Sequence, residues 1–208
     1  MKFNVPGDCA QITLRQFMAY HSAADDVEKV MAIINKSRDY CEGLQVDAAH
    51  TVIALFEEVI EGASSQFDRI IEVRGRRLGF LPDINGMTFR EHVDLDQLAQ
   101  TIWREKKSID YTNLPQLMAV MFRPVTEQVG QYYNIEKYDL DKTEKYMADI
   151  LDLTLDRVNG ALLFFSSIGA ELANSSLVYL DSILKRELAT VIPPAGSLNG
   201  DGTTSSSR

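Results

Sequence analysis

The chain predicts a mainly α-helical, bundle-like domain carrying one β-hairpin near residues 67–81 and a disordered C-terminal tail. Three observations lead there. Apolar residues recur at spacings of three and four through most of the 208 residues, the period that gathers them on one helix face. The period drops to two across Ile71 to Phe80, as a half-buried strand requires. After residue 192 the sequence PPAGSLNGDGTTSSSR is nearly devoid of apolar side chains, too few to offset chain entropy. Residues 1–192 are therefore taken as one domain, with an N-terminal helical part at 1–64 and the hairpin plus further helices at 65–192. Residues 193–208 form the tail.

Taken in order, Met1 to Gln11 reads as an irregular arm containing Pro6-Gly7. Thr13 and Gln16 have the spacing of a capping box, in which hydroxyl and amide side chains satisfy free N–H groups at a helix start. A short helix to Ser22 buries Leu14, Phe17 and Met18. A second, Ala24 to Ser37, aligns Val27, Val30, Met31 and Ile34. Its first turn holds Asp25, Asp26 and Glu28, where the helix dipole favours negative charge. Asp47 caps a third helix, Ala48 to Ile60, whose apolar face is Val52, Ile53, Leu55, Phe56, Val59 and Ile60.

In the hairpin, Gly75-Arg76 supplies a two-residue loop with glycine first, the form of a type II′ turn. That loop sets Val73 opposite Leu78 and Ile71 opposite Phe80, with charges on the other face. A two-stranded ribbon alone is marginal, so its apolar face lies on the helices. Thr88 and Glu91 form a second capping box, followed by a helical turn at 89–93 and a helix at 95–104. Thr112 or Asn113 caps the next helix, with Pro115 in its first turn, where the missing N–H is harmless. Pro124 denies helical geometry to Arg123 and ends it. An aromatic segment follows with Tyr132, Tyr133, Ile135 and Tyr138. Asp141 or Thr143 opens a helix through Tyr146, Ile150, Leu153 and Leu155. A long apolar helical run extends from Leu162 to Leu188, with breaks at Gly160, Gly169 and Asn174.

Net charge is −9. An acidic surface repels phosphate, which disfavours sequence-independent nucleic-acid binding and suits a soluble protein with a basic partner. Cys9 and Cys41 are too few for a disulfide framework and fit a reducing compartment. The first ten residues lack the apolar run of a secretory leader. The uncharged stretch between Arg157 and Glu171 is too short to span a bilayer. No membrane and no nucleic-acid partner is expected.

No residue pattern specifies a reaction. His21, His50 and His92 are far apart in sequence, and none pairs at the spacing of a zinc helix. Glu91-His92 with Asp94 and Asp96 reads as a capped helix start rather than a metal site. Asp139, Asp141 and Thr143 imitate the opening of a calcium loop, but Glu144 stands where the glycine belongs and Ile150 where the bidentate glutamate belongs. Phosphate loops, nucleophile elbows and CxxC motifs are not found. The expectation is a non-enzymatic protein without cofactor or metal. Its candidate partner-binding residues are Arg74, Arg76 and Arg77 at the hairpin tip, able to grip an acidic group, and Tyr132, Tyr133 and Tyr138 in the aromatic segment. The Met-rich helix at 117–122 is adaptable enough to line an apolar groove, although any one of its methionines fits an ordinary core.

Three patches together resemble a known family. They are Met87-Thr-Phe-Arg-Glu91-His-Val-Asp94-Leu; Leu117-Met-Ala-Val-Met-Phe-Arg123-Pro124-Val with Tyr133-Asn-Ile-Glu136-Lys-Tyr138; and Ala161-Leu-Leu-Phe164-Phe165-Ser-Ser-Ile-Gly169. Over roughly residues 67–172 this set is similar to the small helical proteins of tailed-bacteriophage structural-gene blocks, of the tail assembly chaperone kind. The resemblance implies an acidic helper that coats the tape-measure protein in the host cytoplasm until tail-tube subunits replace it. It also implies that a tail such as 193–208 lies where a frameshifted, extended product diverges. The alternative it leaves open is a structural virion component of baseplate, neck or internal capsid. Homo-oligomerisation is left open too.

Overall fold

The structure is a computed structural model, and it describes residues 4–83, 86–103 and 110–167. The chain divides into two compact units, Met1–Phe164 and Phe165–Arg208. All side-chain contacts given below belong to the first. The run expected to reach Leu188 and the tail from Pro193 lie outside the described residues, apart from the helical part that ends at 167.

Four helices open the chain: α1 (Leu14–His21), α2 (Asp26–Ile34), α3 (Arg38–Glu42) and α4 (Val46–Glu61). The Thr13 hydroxyl accepts from the Gln16 amide N–H at 3.2 Å. The Gln16 side chain does not return the bond. It donates instead to the Ile33 carbonyl at 2.7 Å, tying α1 to the end of α2. Only half of that capping box forms, because tertiary packing offers the amide a better acceptor. The helix expected to run to Ser37 stops at Ile34, since Asn35 adopts the left-handed conformation (φ 51°) that ends helices. Asp25 caps α2, its carboxylate accepting from the Glu28 N–H at 2.8 Å. Asp47 lies inside the first turn of α4 and caps nothing.

The sheet is larger than one hairpin. Strands β1 (Ile70–Val73), β2 (Arg76–Phe80), β3 (Phe122–Val129) and β4 (Tyr132–Ile135) form a four-stranded antiparallel sheet in the order β1-β2-β3-β4. The architecture is thus mixed, helices with a small sheet, rather than a bundle with one ribbon. The first turn also differs from expectation. Arg74 and Gly75 form the loop, both at positive φ (50° and 74°), as a type I′ turn requires. Ile71 therefore pairs with Leu78, and Val73 with Arg76. Moving the loop by one residue changes each pairing by two, so no side chain changes face. Ile71, Val73, Leu78 and Phe80 are still buried.

Between the hairpins come α5 (Phe89–Trp103) and α6 (Leu114–Met121). α5 is one helix, not the two pieces expected, and its capping box is complete. Glu91 donates its N–H to the Thr88 hydroxyl at 3.3 Å. The Thr88 N–H reaches the Glu91 carboxylate at 2.6 Å. In α6 every residue except Gln116 is buried, which is the signature of a core helix. Met118 and Met121 are fully enclosed, so they fill the interior and line no groove. As Pro124 dictates, α6 ends at Met121, and Phe122 begins β3 directly.

Proline is tolerated inside β3 for a geometric reason. Leu81 donates its N–H to the Met121 backbone carbonyl at 3.0 Å. That fixes the alternation of the ladder and places Pro124, opposite Leu78, at a pair that exchanges no bonds with β2.

Asp139 caps α7 (Leu140–Thr143), its carboxylate accepting from the Asp141 N–H. The calcium-like spacing is therefore a helix start. α8 (Met147–Leu151) follows, and α9 covers residues 155–167 in its described part. Backbone bonds Leu14 N–H to Leu153 O and Leu155 N–H to Ile12 O, each 2.8 Å, join the N-terminal helices to this segment. Gly160 does not break α9. It is buried where the helix backbone meets the backbone of Gln66 and Phe67.

Candidate protein-interaction surface

The β3–β4 hairpin presents the most exposed apolar pair on the sheet. β3 follows from its sequence: Pro124 excludes helix, and Val125, Thr126 and Val129 favour the pleat. Gly130 (φ 61°) opens the two-residue loop to β4, meeting the requirement for positive φ at the first loop position of a type II′ turn. Val129 then pairs with Tyr132. The two side chains are 69% and 85% exposed, so two apolar groups stand side by side in water at the tip.

The rest of the hairpin is anchored. The Tyr133 hydroxyl donates to the Phe80 carbonyl at 2.7 Å. Its ring and Ile135 reach across β3 onto Gly79. A Cβ at that glycine would lie 2.7 Å from Tyr133 and 2.8 Å from Ile135, so only glycine lets these strands come so close.

Beneath the hairpin lies a buried polar cluster joining α5 to β3. Arg123 and Glu91, each 4% exposed, form an ion pair of 2.6 Å. The other Glu91 oxygen is the one that completes the α5 capping box. Asp94 accepts from Tyr138 Oη at 2.7 Å and from Arg90 Nε at 2.8 Å. The Arg123 guanidinium lies 5.8 Å from the centre of the Tyr138 ring, within cation–π range. Burial, then the bond to Asp94, pushes the Tyr138 phenol well above its usual range. Burial likewise pushes Tyr146, whose hydroxyl donates to the Ala119 carbonyl, up to about 12. Both phenols are protonated near neutral pH, and the carboxylates are charge-paired. The arrangement braces β3 against α5. Among the described residues no group of three or more His, Cys, Asp or Glu side chains is placed to hold a metal ion.

The six residues singled out from sequence divide between these roles. Arg74 pairs with Asp152 at 2.5 Å, and Asp152 also holds Arg15 at 3.0 Å. Arg76 pairs with the buried Asp149 at 3.2 Å and donates to the Lys145 carbonyl. These two arginines fasten the β1–β2 turn to α8. Arg77 donates to the Gln128 side chain, next to Val129. Tyr133 and Tyr138 are held inside by the bonds given above. Arg77 and Tyr132 are thus brought to the β3–β4 tip, and the other four are engaged elsewhere. Sequence reasoning missed Val129. The signal was present: Val125, Thr126 and Val129 favour a strand, and Gly130-Gln131 separates Val129 from Tyr132 by a two-residue loop. It also read Glu91 as a cap without finding its ion pair, since Arg123 is 32 residues away and paired only through the fold.

Compared with known proteins, the chain matches no family model, no curated protein and no solved structure.

Proposed function

We propose that the protein works by binding another polypeptide, without catalysis, through the tip of the β3–β4 hairpin. The observation that carries this is the side-by-side exposure of Val129 and Tyr132 on a rigidly anchored turn. Two apolar side chains held in water on a braced scaffold pay little ordering entropy on association. Tyrosine also contributes large contact area with a polar end, which is why it is enriched at interfaces.

On the resemblance set out above, the partner is the tape-measure protein of a tailed bacteriophage, and the protein is a tail assembly chaperone acting in the host cytoplasm. The acidic balance of the chain suits that role by keeping a complex with an aggregation-prone client soluble. Co-expression tests it. A tailed-bacteriophage tape-measure protein that is its client should become soluble with it and stay insoluble with the Val129→Ser/Tyr132→Ser variant. Equal rescue by both forms would refute the tip as the binding surface. Mass spectrometry of purified virions separates the helper from a structural component: a helper is missing from finished particles, whereas a baseplate, neck or capsid protein is present in stoichiometric copies.

A further inference from the structure

We propose that the cleft between the N-terminal arm and the C-terminal half of α4 docks a partner segment that carries aliphatic side chains beside lysine or arginine. This rests on the reading of the protein as a polypeptide binder, and it uses a surface other than the β3–β4 tip. The cleft has a volume of about 490 Å³, within the range of ligand sites, about 300–1,000 Å³. Val5 and Pro6 form one wall, and Leu55 and Val59 the other.

Both walls are fixed. Asp8 caps the short 3-10 turn Cys9–Gln11, its carboxylate accepting from the Gln11 N–H at 3.1 Å. The Gly7 N–H donates to the Gln11 side chain at 3.1 Å. The Cys9 thiol donates to the Val59 carbonyl at 3.3 Å, which lies in the last turn of α4, where carbonyls lack helical partners. The arm is thus pinned to the helix at its base, and the cleft remains open beside the pin. Leu55 is 45% exposed, a large apolar side chain on a helix face that no element covers completely.

The charge on the rim selects the occupant. Asp8 and Glu58 line the cleft, and Glu61 follows on the next turn. Residues 46–68 contain five acidic side chains, Asp47, Glu57, Glu58, Glu61 and Asp68, and no Lys or Arg; residues 4–14 contain Asp8 and no Lys or Arg. Such a rim repels anionic ligands and draws cationic ones. An amphipathic helix laid in a groove presents anchors three and four residues apart, with its charges at the edges. A basic amphipathic segment satisfies both the apolar walls and the acidic rim.

The test is fluorescence anisotropy of the full chain with a labelled amphipathic peptide of Leu and Lys, at physiological salt, beside a Leu/Glu peptide of the same pattern. The Leu/Lys peptide should bind and the Leu/Glu peptide should not. Leu55→Ser should weaken binding about tenfold or more, the effect of removing one buried leucine contact. Glu58→Gln should weaken it by a smaller factor, about two- to fivefold. Asp47→Asn removes the same charge at the far end of α4 and should change it less than about twofold. Val129→Ser/Tyr132→Ser should leave it unchanged. Leu55 is solvent-exposed, so its replacement leaves the core intact. Equal losses for Glu58→Gln and Asp47→Asn would reduce the effect to bulk charge and overturn the proposal, as would full binding by Leu55→Ser. Loss of client rescue by the tip variant with no peptide binding at the cleft would remove the cleft alone.

Discussion

Gly160→Ala reverses the usual sign of a helix substitution. In a helix interior, glycine is less favourable than alanine by about 1 kcal/mol, so propensity alone predicts that the variant is more stable. The structure predicts the opposite. A Cβ at position 160 would fall on the Gln66 carbonyl and lie 2.8 Å from the Phe67 nitrogen. Both neighbours are backbone and cannot rotate away, so α9 must move off residues 64–68. That shift loosens the Gln66 N–H to Asp156 O bond of 2.9 Å and the Asn159 side-chain bond to the Ser64 carbonyl at 3.2 Å. It also separates the stacked rings of Phe67 and Phe164, now 4.1 Å apart. Each bond contributes about 0.5–1.5 kcal/mol and the ring pair a similar amount. After the propensity gain is subtracted, the net loss is about 0.5–3.5 kcal/mol. Urea denaturation followed by circular dichroism measures it, and a fall in Tm of roughly 1–14 °C should accompany it. A variant as stable as the parent or more so would show that α9 does not approach the 64–68 segment this closely.

Three further predictions concern the ion pairs and the enclosed phenol. Glu91→Gln leaves Arg123 charged, buried and unpaired, and should cost about 3–5 kcal/mol; replacing both partners by apolar residues of similar size should cost less than the sum of the single changes, as a double-mutant cycle would show. Burial pushes the Tyr146 phenol up from its usual value near 10 to about 12, so the folded state holds its proton where the unfolded chain has lost it. Stability from this group is complete below pH 10 and falls by about 1.4 kcal/mol per pH unit between 10 and 12, a slope that Tyr146→Phe should reduce in alkaline unfolding curves. Asp152→Asn weakens two ion pairs at once, to Arg15 and Arg74; both arginines are about half exposed, so denaturation should shift by no more than about 1 kcal/mol.

Local chemistry made much of the fold legible. Pro124 announced the end of α6, Thr88 with Glu91 announced the start of α5, and the period-two stretch announced β1 and β2. What escaped depends on distant partners. The aromatic segment at 132–135 has too few residues to display a strand period, and it becomes a strand because β3 lies beside it. The first hairpin register missed by one loop position because Arg74 accepts the left-handed conformation that was assigned to glycine alone. Gly160 resembled a helix breaker because sequence shows the missing side chain and not the backbone that occupies its place. Of the residues chosen from sequence, Arg77 and Tyr132 lie at the β3–β4 tip proposed as the binding surface, while Arg74, Arg76, Tyr133 and Tyr138 have partners that only the fold supplies.

Hydrogen exchange on a complex with the proposed client, a tape-measure protein, bears most directly on the proposed role. Binding at the hairpin tip should slow exchange of amides from Val125 to Ile135, and the Val129→Ser/Tyr132→Ser variant should abolish that protection. Unchanged exchange across this segment in a complex that nonetheless forms would place the binding surface elsewhere and contradict the account.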